Sequence, residues 1–180
     1  MNKRLLSAIL SFCMLLTMAP TVAFAAEDDE AANTISLADA TETSGSCGAE
    51  GDNVTWNLTQ NNEGNENPTY TLTISGNGAM ADYAVGKAPW HVALSEAANR
   101  KQINQIELSS GLTHIGDNAF LQASVTDVEI PDTVISIGTN AFWNCNTIQT
   151  TIPASVQELG ATAFYGTFVV NVDANSPYFC

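Results

Sequence analysis

The chain has 180 residues, of which 19 are Asp or Glu and 5 are Lys or Arg, so its formal net charge at pH 7 is −14. A chain this acidic repels nucleic acid and anionic membranes, which excludes electrostatic binding to either as its function. The charge keeps the chain soluble and could attract cationic partners, solubility being the simpler interpretation.

Residues 1–25 have the pattern of an export signal. Lys3 and Arg4 precede an apolar run over residues 5–18, and Ala23-Phe24-Ala25 is a small-x-small cleavage site. An uncleaved membrane anchor is the alternative, because residues 5–26 are long enough to span a bilayer. The pattern predicts a secreted or cell-surface protein that is not inserted in the membrane once the signal has been removed.

Residues 26–44 form a second, acidic segment. They contain six acidic residues and no aromatic residue. Such a composition cannot bury a core, so we predict a flexible spacer, with a helix over residues 27–33 as the alternative.

Residues 45–102 are predicted to form a small capping module. Residues 54–58 and residues 70–74 both alternate between apolar and polar side chains, and the turn-rich segment between them predicts a β-hairpin with a long loop. Trp90 is expected to pack against the segment that follows. Ser95 can cap a short helix that runs through Lys101.

The rest of the chain is dominated by one six-residue phrase that occurs three times. It occurs at residues 115–120, 137–142 and 159–164, so its period is 22 residues. A fixed period of this length is typical of solenoids, in which each turn buries its apolar side against the next. We therefore predict an α/β-type solenoid over residues 103–180, with one parallel strand in each 22-residue repeat, preceded by the hairpin-containing cap.

Each repeat has the same physical pattern. Residues 128–130 alternate as a short half-buried strand, Pro131 ends the strand, and Gly138 allows a backbone bend. Stacking the repeats would place equivalent apolar side chains in columns. The predicted repeat core is Ile115, Phe120, Ile137, Phe142, Leu159 and Phe164.

These residues resemble a known family. Residues 128–145 read V-x-I-P-x-x-V-x-x-I-G-x-x-A-F-x-x-C, which resembles the BspA-type leucine-rich repeat of bacterial surface proteins. The resemblance implies a short leucine-rich repeat array in an exported protein that adheres to host or microbial ligands. Residues 172–180 are similar to the start of a further family segment, so we expect a truncated chain. The upstream segments that resemble the family's N-terminal module are residues 44–48, 54–56, 72–80 and 88–90.

Catalytic and metal-binding patterns are weak. His91 and His114 are the two histidines, and no Gly-x-Ser-x-Gly elbow accompanies them, so a Ser-His-Asp triad has no support from the sequence. There is neither a C-x-x-C pair nor a calcium loop. We predict no enzyme activity, no metal and no cofactor. Cys145 is expected to be a small buried apolar group, and a disulfide between Cys47 and either Cys145 or Cys180 stays open.

The remaining candidate for function is the surface of the predicted sheet, which binds an extracellular protein or glycan in our first hypothesis. In our second hypothesis the chain is a stalk or spacer for a domain that lies downstream. Trp143 is either an exposed anchor or packed on Tyr165, one period later. The last repeat, with Val169, Val170 and Val172, offers an edge for self-association. The candidate ligand face is Glu107, Asp127, Glu129, Gln149, Thr151 and Trp143.

Overall fold

The computed structural model describes residues 43–94, 102–145, 149–166 and 169–179. The export signal, all but the last two residues of the acidic spacer, the helix predicted from Ser95 to Lys101, and Cys180 lie outside the described residues.

A three-stranded antiparallel unit opens the described chain. It consists of β1 (Ser44–Gly48), β2 (Gly51–Gln60) and β3 (Tyr70–Ala79), and β2 pairs with β3 from Val54↔Gly76 to Gln60↔Tyr70. This confirms the predicted hairpin with a long loop. A single helix in the described part, α1 (Pro89–Ala93), follows, and no described helix is long and apolar enough to cross a membrane.

The repeats begin on β3, which carries two neighbours side by side. Its first half pairs in parallel with β4 (Ile103–Leu108), and its second half pairs in parallel with β5 (Gly111–Ile115). Gly76 and Gly78, at φ values of 118° and 110°, supply the backbone conformations that let one strand serve both partners.

The β5 column continues in parallel through β6 (Ser136–Ile137) and β8 (Glu158–Leu159). Its register places Ile115 beside Ile137 and Ile137 beside Leu159, which is the 22-residue step of the sequence. A separate two-stranded parallel sheet contains β7 (Gln149–Ile152) and β9 (Val169–Val172). There Ile152 pairs with Val172, so the last step is two residues shorter.

The strand content of a repeat differs from our prediction of one strand at residues 128–130. Residues 128–130 form no strand: an isolated parallel bridge, Asp127↔Gln149, precedes them, and Val128 N donates to Gln149 O at 3.4 Å. β4 pairs with β3 and not with this segment. The short strands β6 and β8 lie in the connectors that follow the proline, where the sequence pattern did not predict pairing. Backbone hydrogen bonds between successive repeats, each of which forms one coil of the stack, fix these strands in place. An example is the bond that Gly160 N donates to Ile137 O at 2.7 Å.

Our reason for the repeated glycine was wrong. Gly138 is not in the left-handed region; a Cβ there would lie 2.5 Å from Asp117 N, and a Cβ at Gly160 would lie 2.3 Å from Thr139 N. The glycines therefore permit close approach between coils. The bend is supplied by Asn118, Asn140 and Thr162, whose φ values are 54°, 55° and 56°.

Thr162 is the least suited residue of that left-handed series, because a β-branched side chain is strained at positive φ. The Thr162 hydroxyl donates to Asn140 Oδ1, and an asparagine at position 162 could replace this bond with one like that from Asn140 Nδ2 to Asn118 Oδ1 at 3.2 Å. Thr162→Asn is expected to raise the free energy of unfolding by roughly 0.5–1 kcal/mol, measured by urea denaturation. Thr162→Ala keeps the strained backbone and loses the hydroxyl, so it should be less stable than the parent. A Thr162→Asn variant below the parent would contradict the argument.

The centre of the stack is a column of aromatic rings. Phe120 and Phe142 have centroids 5.2 Å apart, Phe142 and Phe164 have centroids 5.1 Å apart, and Phe120 and Phe142 are buried. Trp90 of α1 stacks on Phe120 at 5.9 Å and donates from Nε1 to Ala119 O at 2.8 Å, as expected of a residue that closes the first repeat.

Two predicted core positions in the last repeat are more exposed than their counterparts. Ile115 and Ile137 are buried, whereas Leu159 is 38% exposed, so its assignment to the core was wrong. Leu159 lies in β8, the edge strand of its sheet, where no described strand covers it. Phe164 is half-buried and packs against the core from the same end. Thr150 breaks the apolar pattern, and its buried hydroxyl is satisfied because it donates to Val128 O at 2.7 Å.

Candidate ligand-binding face

The five strand residues of the predicted ligand face all lie exposed along the parallel segments. Asp127 and Gln149 are brought together by their parallel bridge, and Gln149 pairs in turn with Val169 on β9. We call this surface the strand face. It is defined by Glu107, Asp127, Glu129, Gln149, Thr151 and Asn171.

The strand face is grooved. A depression of about 480 Å³ lies between residues 127–132 and β7, and it reaches Asn171 and Asp173 of the last repeat. Two others, of about 510 Å³ and 370 Å³, lie between β4 and residues 126–133. Four successive segments, β4, residues 126–133, β7 and residues 171–173, therefore line adjoining depressions of one polar surface.

The two grooves beside β4 mark a place where neighbouring coils separate. Ser124 N donates to Ile103 O at 3.0 Å, and Ile135 N donates to Thr113 O at 2.8 Å. Between these two closures, no backbone hydrogen bond or strand pairing joins residues 104–110 to residues 126–132 in the described chain. We call this opening the seam. Its geometry could not be predicted from the 22-residue period, which predicts continuous pairing.

The charged residues that the structure describes around the seam are all acidic. Glu107, Asp127, Glu129 and Asp132 line its grooves, and all four side chains are exposed. Glu107 accepts hydrogen bonds from Thr73 Oγ1 at 3.1 Å and from Gln105 Nε2 at 3.2 Å. Lys87, in the loop before α1, is the only Lys or Arg that the described ranges contain. No described cation lines these grooves, so the negative charge of the seam faces solvent.

Trp143 does not belong to the strand face. Its half-buried ring lies 6.5 Å from the ring of Tyr165 at an interplanar angle of 11°, and it lines none of the three grooves. Of the two alternatives, the structure shows packing on Tyr165. Tyr165 itself is 64% exposed, so the outer member of this pair is the tyrosine.

Three side chains that the sequence did not bring together form a cluster on the other strand column. His114 Nδ1 lies 2.7 Å from Ser136 Oγ, and His114 Nε2 lies 3.1 Å from Asp82 Oδ1. The 22-residue step could have predicted the His114–Ser136 pair, because these residues are register partners. Nothing in the sequence signals the contribution of Asp82, which comes from the loop after β3.

The cluster has the residue types of a hydrolase triad, but its geometry points to a structural role. In the triad, histidine faces serine through Nε2 and aspartate through Nδ1, the reverse of this arrangement. Asp82 Oδ1 also accepts from Asp117 N at 2.8 Å. The cluster thus joins the cap to the first two repeats, with Nε2 donating to the Asp82 carboxylate and Nδ1 hydrogen-bonded to the Ser136 hydroxyl.

Asp82 gives this cluster a pH dependence. The hydrogen bond from Asp117 N lowers the pKa of Asp82, burial opposes this, and His114 lowers it further. A carboxyl with a lowered pKa stabilises the fold above its unfolded pKa, and the contribution disappears as the pH falls through the folded value. Asp82→Ala is therefore expected to cost less than about 1 kcal/mol at pH 7, since Asp82 is well exposed, and to cost less still near pH 2. Urea denaturation between these pH values should show the free energies of unfolding of the parent and of the Asp82→Ala variant converging as the pH falls. A difference that stays constant with pH would contradict a stabilising role of the Asp82 carboxylate.

The described cysteines are inert groups of the core. Cys47 and Cys145 are buried free thiols, and burial raises the pKa of each to about 12. Cys145 Sγ donates to Phe120 O at 3.0 Å, consistent with its expected burial. His91 is buried with its ring 6.2 Å from that of Trp90, so it packs in the core of the cap. No group of three or more potential metal ligands occurs within the described ranges.

Comparison with known proteins now decides the family. Residues 95–177 match the family described as BspA type Leucine rich repeat region (6 copies). This part of the chain belongs to the BspA-type leucine-rich repeat family. The match covers both strand columns, the Phe120–Phe142–Phe164 stack and the seam, so the repeated phrase found in the sequence is the family's repeat.

A solved structure has a similar fold. It is a leucine-rich repeat protein from Eubacterium ventriosum, with a TM-score of 0.50 and 22% sequence identity. The alignment covers 75% of this chain and 45% of the other, so the chain spans less than half of that protein's length. Comparison with curated protein sequences finds no match. The likeness supports a leucine-rich repeat fold that includes residues outside the family match.

Proposed function

We propose that this chain is an exported, non-enzymatic BspA-type leucine-rich repeat protein that binds an extracellular protein or glycan at the cell surface through its strand face. Membership of a repeat family supports an interaction role, because stacked repeats present extended surfaces rather than enclosed sites. The signal pattern of residues 1–25 supports export. We further propose that the repeats form a short solenoid, and that neither nucleic acid nor a cofactor takes part.

The single observation that carries the proposal is the grooved strand face. Glu129 and Asp127 of one coil, Gln149 and Thr151 of the next, and Asn171 of the last line one groove of about 480 Å³. A ligand in this groove would contact several repeats at once, which is how a repeat surface accumulates affinity from weak single contacts.

The test is a binding screen of the purified chain against extracellular matrix proteins and a glycan array. We expect at least one ligand whose binding is lost in a variant that carries Gln149→Lys and Thr151→Lys, both at exposed positions. A matched control carries Thr55→Lys and Thr59→Lys on the exposed face of β2. Silence across the panel with a folded sample, or equal loss in the control, would contradict the proposal.

A stalk or spacer role is the second candidate. The open edge strands β8 and β9 favour it, because they could continue the stack or pair with another copy of the chain. Analytical ultracentrifugation distinguishes a chain that pairs with another copy through these strands from one that stays monomeric. A concentration-dependent dimer that is abolished by Val172→Lys would support self-association through the last repeat, whereas a monomer at every concentration would exclude it.

A further inference from the structure

We propose that the seam binds an extended peptide that carries Lys or Arg side chains, a proposal that rests on the binding function above and names the class of its partner. The ligand would lie along β4, with its backbone beside the free edge of that strand and its cationic groups at the acidic rim.

The seam exposes one edge of β4 to a ligand. A strand has two edges, and β4 uses one of them to pair with β3 from Tyr70↔Ile103 to Ile74↔Leu108. The other edge faces the seam, where residues 104–110 have no pairing to residues 126–132. An exposed strand edge accepts an added strand through main-chain hydrogen bonds, a common mode of peptide recognition. The closures at Ile103 and Thr113 limit the opening to a short extended segment.

The side chains of the seam combine an apolar base with an acidic rim. Ile106, Leu108, Ile130 and Pro131 line the groove of about 510 Å³ together with Glu107, Glu129 and Asp132. Ile106 and Ile130 are buried, whereas the three carboxylates are exposed, so apolar groups form the base and charge forms the rim. Lys and Arg suit such a groove, because their aliphatic stems cover apolar surface while their charged ends stay at the rim.

The charges select the ligand class. Glu107, Asp127, Glu129 and Asp132 surround the two grooves, and no described Lys or Arg lies among them. Complementary charge on a partner steers association and fixes its register, while an acidic partner is repelled. A neutral glycan could donate hydroxyl hydrogen bonds to these carboxylates, but it carries neither the complementary charge nor the main-chain amides that the free edge of β4 would pair with. The combination of an open strand edge, an apolar base and an acidic rim therefore favours a basic peptide.

The experiment measures fluorescence anisotropy of a labelled decapeptide with alternating Lys and Val, added to the full chain. We expect saturable binding that weakens about tenfold as the salt concentration rises from low to high. Replacing every Lys of the peptide by Glu should abolish binding. Methylating alternate backbone amides of the Lys peptide should weaken it about tenfold if main-chain hydrogen bonds to β4 contribute.

Two variants of the chain separate the seam from general attraction. E107Q/E129Q/D132N removes three carboxylates from the rim and should weaken binding about tenfold or more. E50Q/D52N/E158Q removes three exposed carboxylates elsewhere, with the same change of net charge, and should leave binding within about twofold. Circular dichroism and denaturation midpoints verify that both variants are folded.

The outcomes are distinct. Equal weakening by both variants would overturn the proposal in favour of non-specific charge attraction, as would indifference to backbone methylation. If the screen above finds a neutral protein or glycan on the strand face while the Lys peptide does not bind, this inference fails and the proposed function stands. Binding of the Lys peptide at the seam with no ligand on the panel would support the inference, while the silent panel would contradict the proposed extracellular protein or glycan ligand.

Discussion

Phe142→Ala is expected to lower the free energy of unfolding by about 3–5 kcal/mol, because it removes a fully buried ring from the middle of the aromatic column. Phe142 contacts a ring on each side, Phe120 at 5.2 Å and Phe164 at 5.1 Å, so neither neighbour can fill the space without losing its own packing. Urea denaturation followed by circular dichroism measures the loss.

Phe164→Ala is the matched control for that substitution. The ring at position 164 occupies the same place in its repeat but is only half-buried, so its removal should cost clearly less. Equal losses for the two variants, or a loss below about 1 kcal/mol for Phe142→Ala, would contradict a packed column.

Trp90→Ala should have the second large effect, also about 3–5 kcal/mol, because Trp90 joins the cap to the first repeat. Its indole is fully buried, stacks on Phe120 at 5.9 Å and contacts Trp56 and Tyr83 edge-on at 6.1 Å and 5.6 Å. Its removal opens a cavity in the buried contact between the cap and the first repeat. Amide hydrogen exchange should show lost protection in both β5 and the hairpin.

Trp90→Phe separates packing from hydrogen bonding at this position. The smaller ring keeps part of the stack but leaves Ala119 O without its indole donor, so the expected loss is about 1–3 kcal/mol. Stability should therefore fall in the order parent, Trp90→Phe, Trp90→Ala. A Trp90→Ala variant as stable as the parent would show that the cap does not depend on this contact.

The sequence alone was sufficient to predict features that follow from the 22-residue period or from the alternation of apolar and polar residues. The recurrence of Phe at positions 120, 142 and 164 predicted one column, because equivalent residues of stacked coils must be neighbours. Alternation in residues 54–58 and 70–74 predicted the hairpin, because a half-buried strand has a period of two. Both predictions use only local chain geometry and the need to bury apolar groups.

The sequence was insufficient where tertiary contacts decide the outcome. Leu159 occupies the same place in the repeated phrase as Ile137, directly before the glycine, yet it is 38% exposed because it lies on the edge strand. The period cannot distinguish a covered coil from an edge coil. Likewise, Gly138 is required by the approach of Asp117 N from the preceding coil, a contact that local conformational preferences do not contain.

The candidate binding surface was predictable only in part. Alternation along the strands correctly predicted exposure of Glu107, Glu129 and Thr151. The seam was not predicted, because it results from β4 pairing with β3 while residues 126–132 have no partner on that side. Trp143 was left between two alternatives by the sequence, since the 22-residue step places it beside Tyr165 without specifying which ring is exposed.

The most direct test of the stacked arrangement is proton NMR of a sample in which only the phenylalanine rings are observed. Stacking at every twenty-second residue predicts nuclear Overhauser contacts between Phe120 and Phe142 and between Phe142 and Phe164, with none between Phe120 and Phe164. Absence of the first two contacts in a folded sample, or a direct contact between the outer rings, would contradict the account.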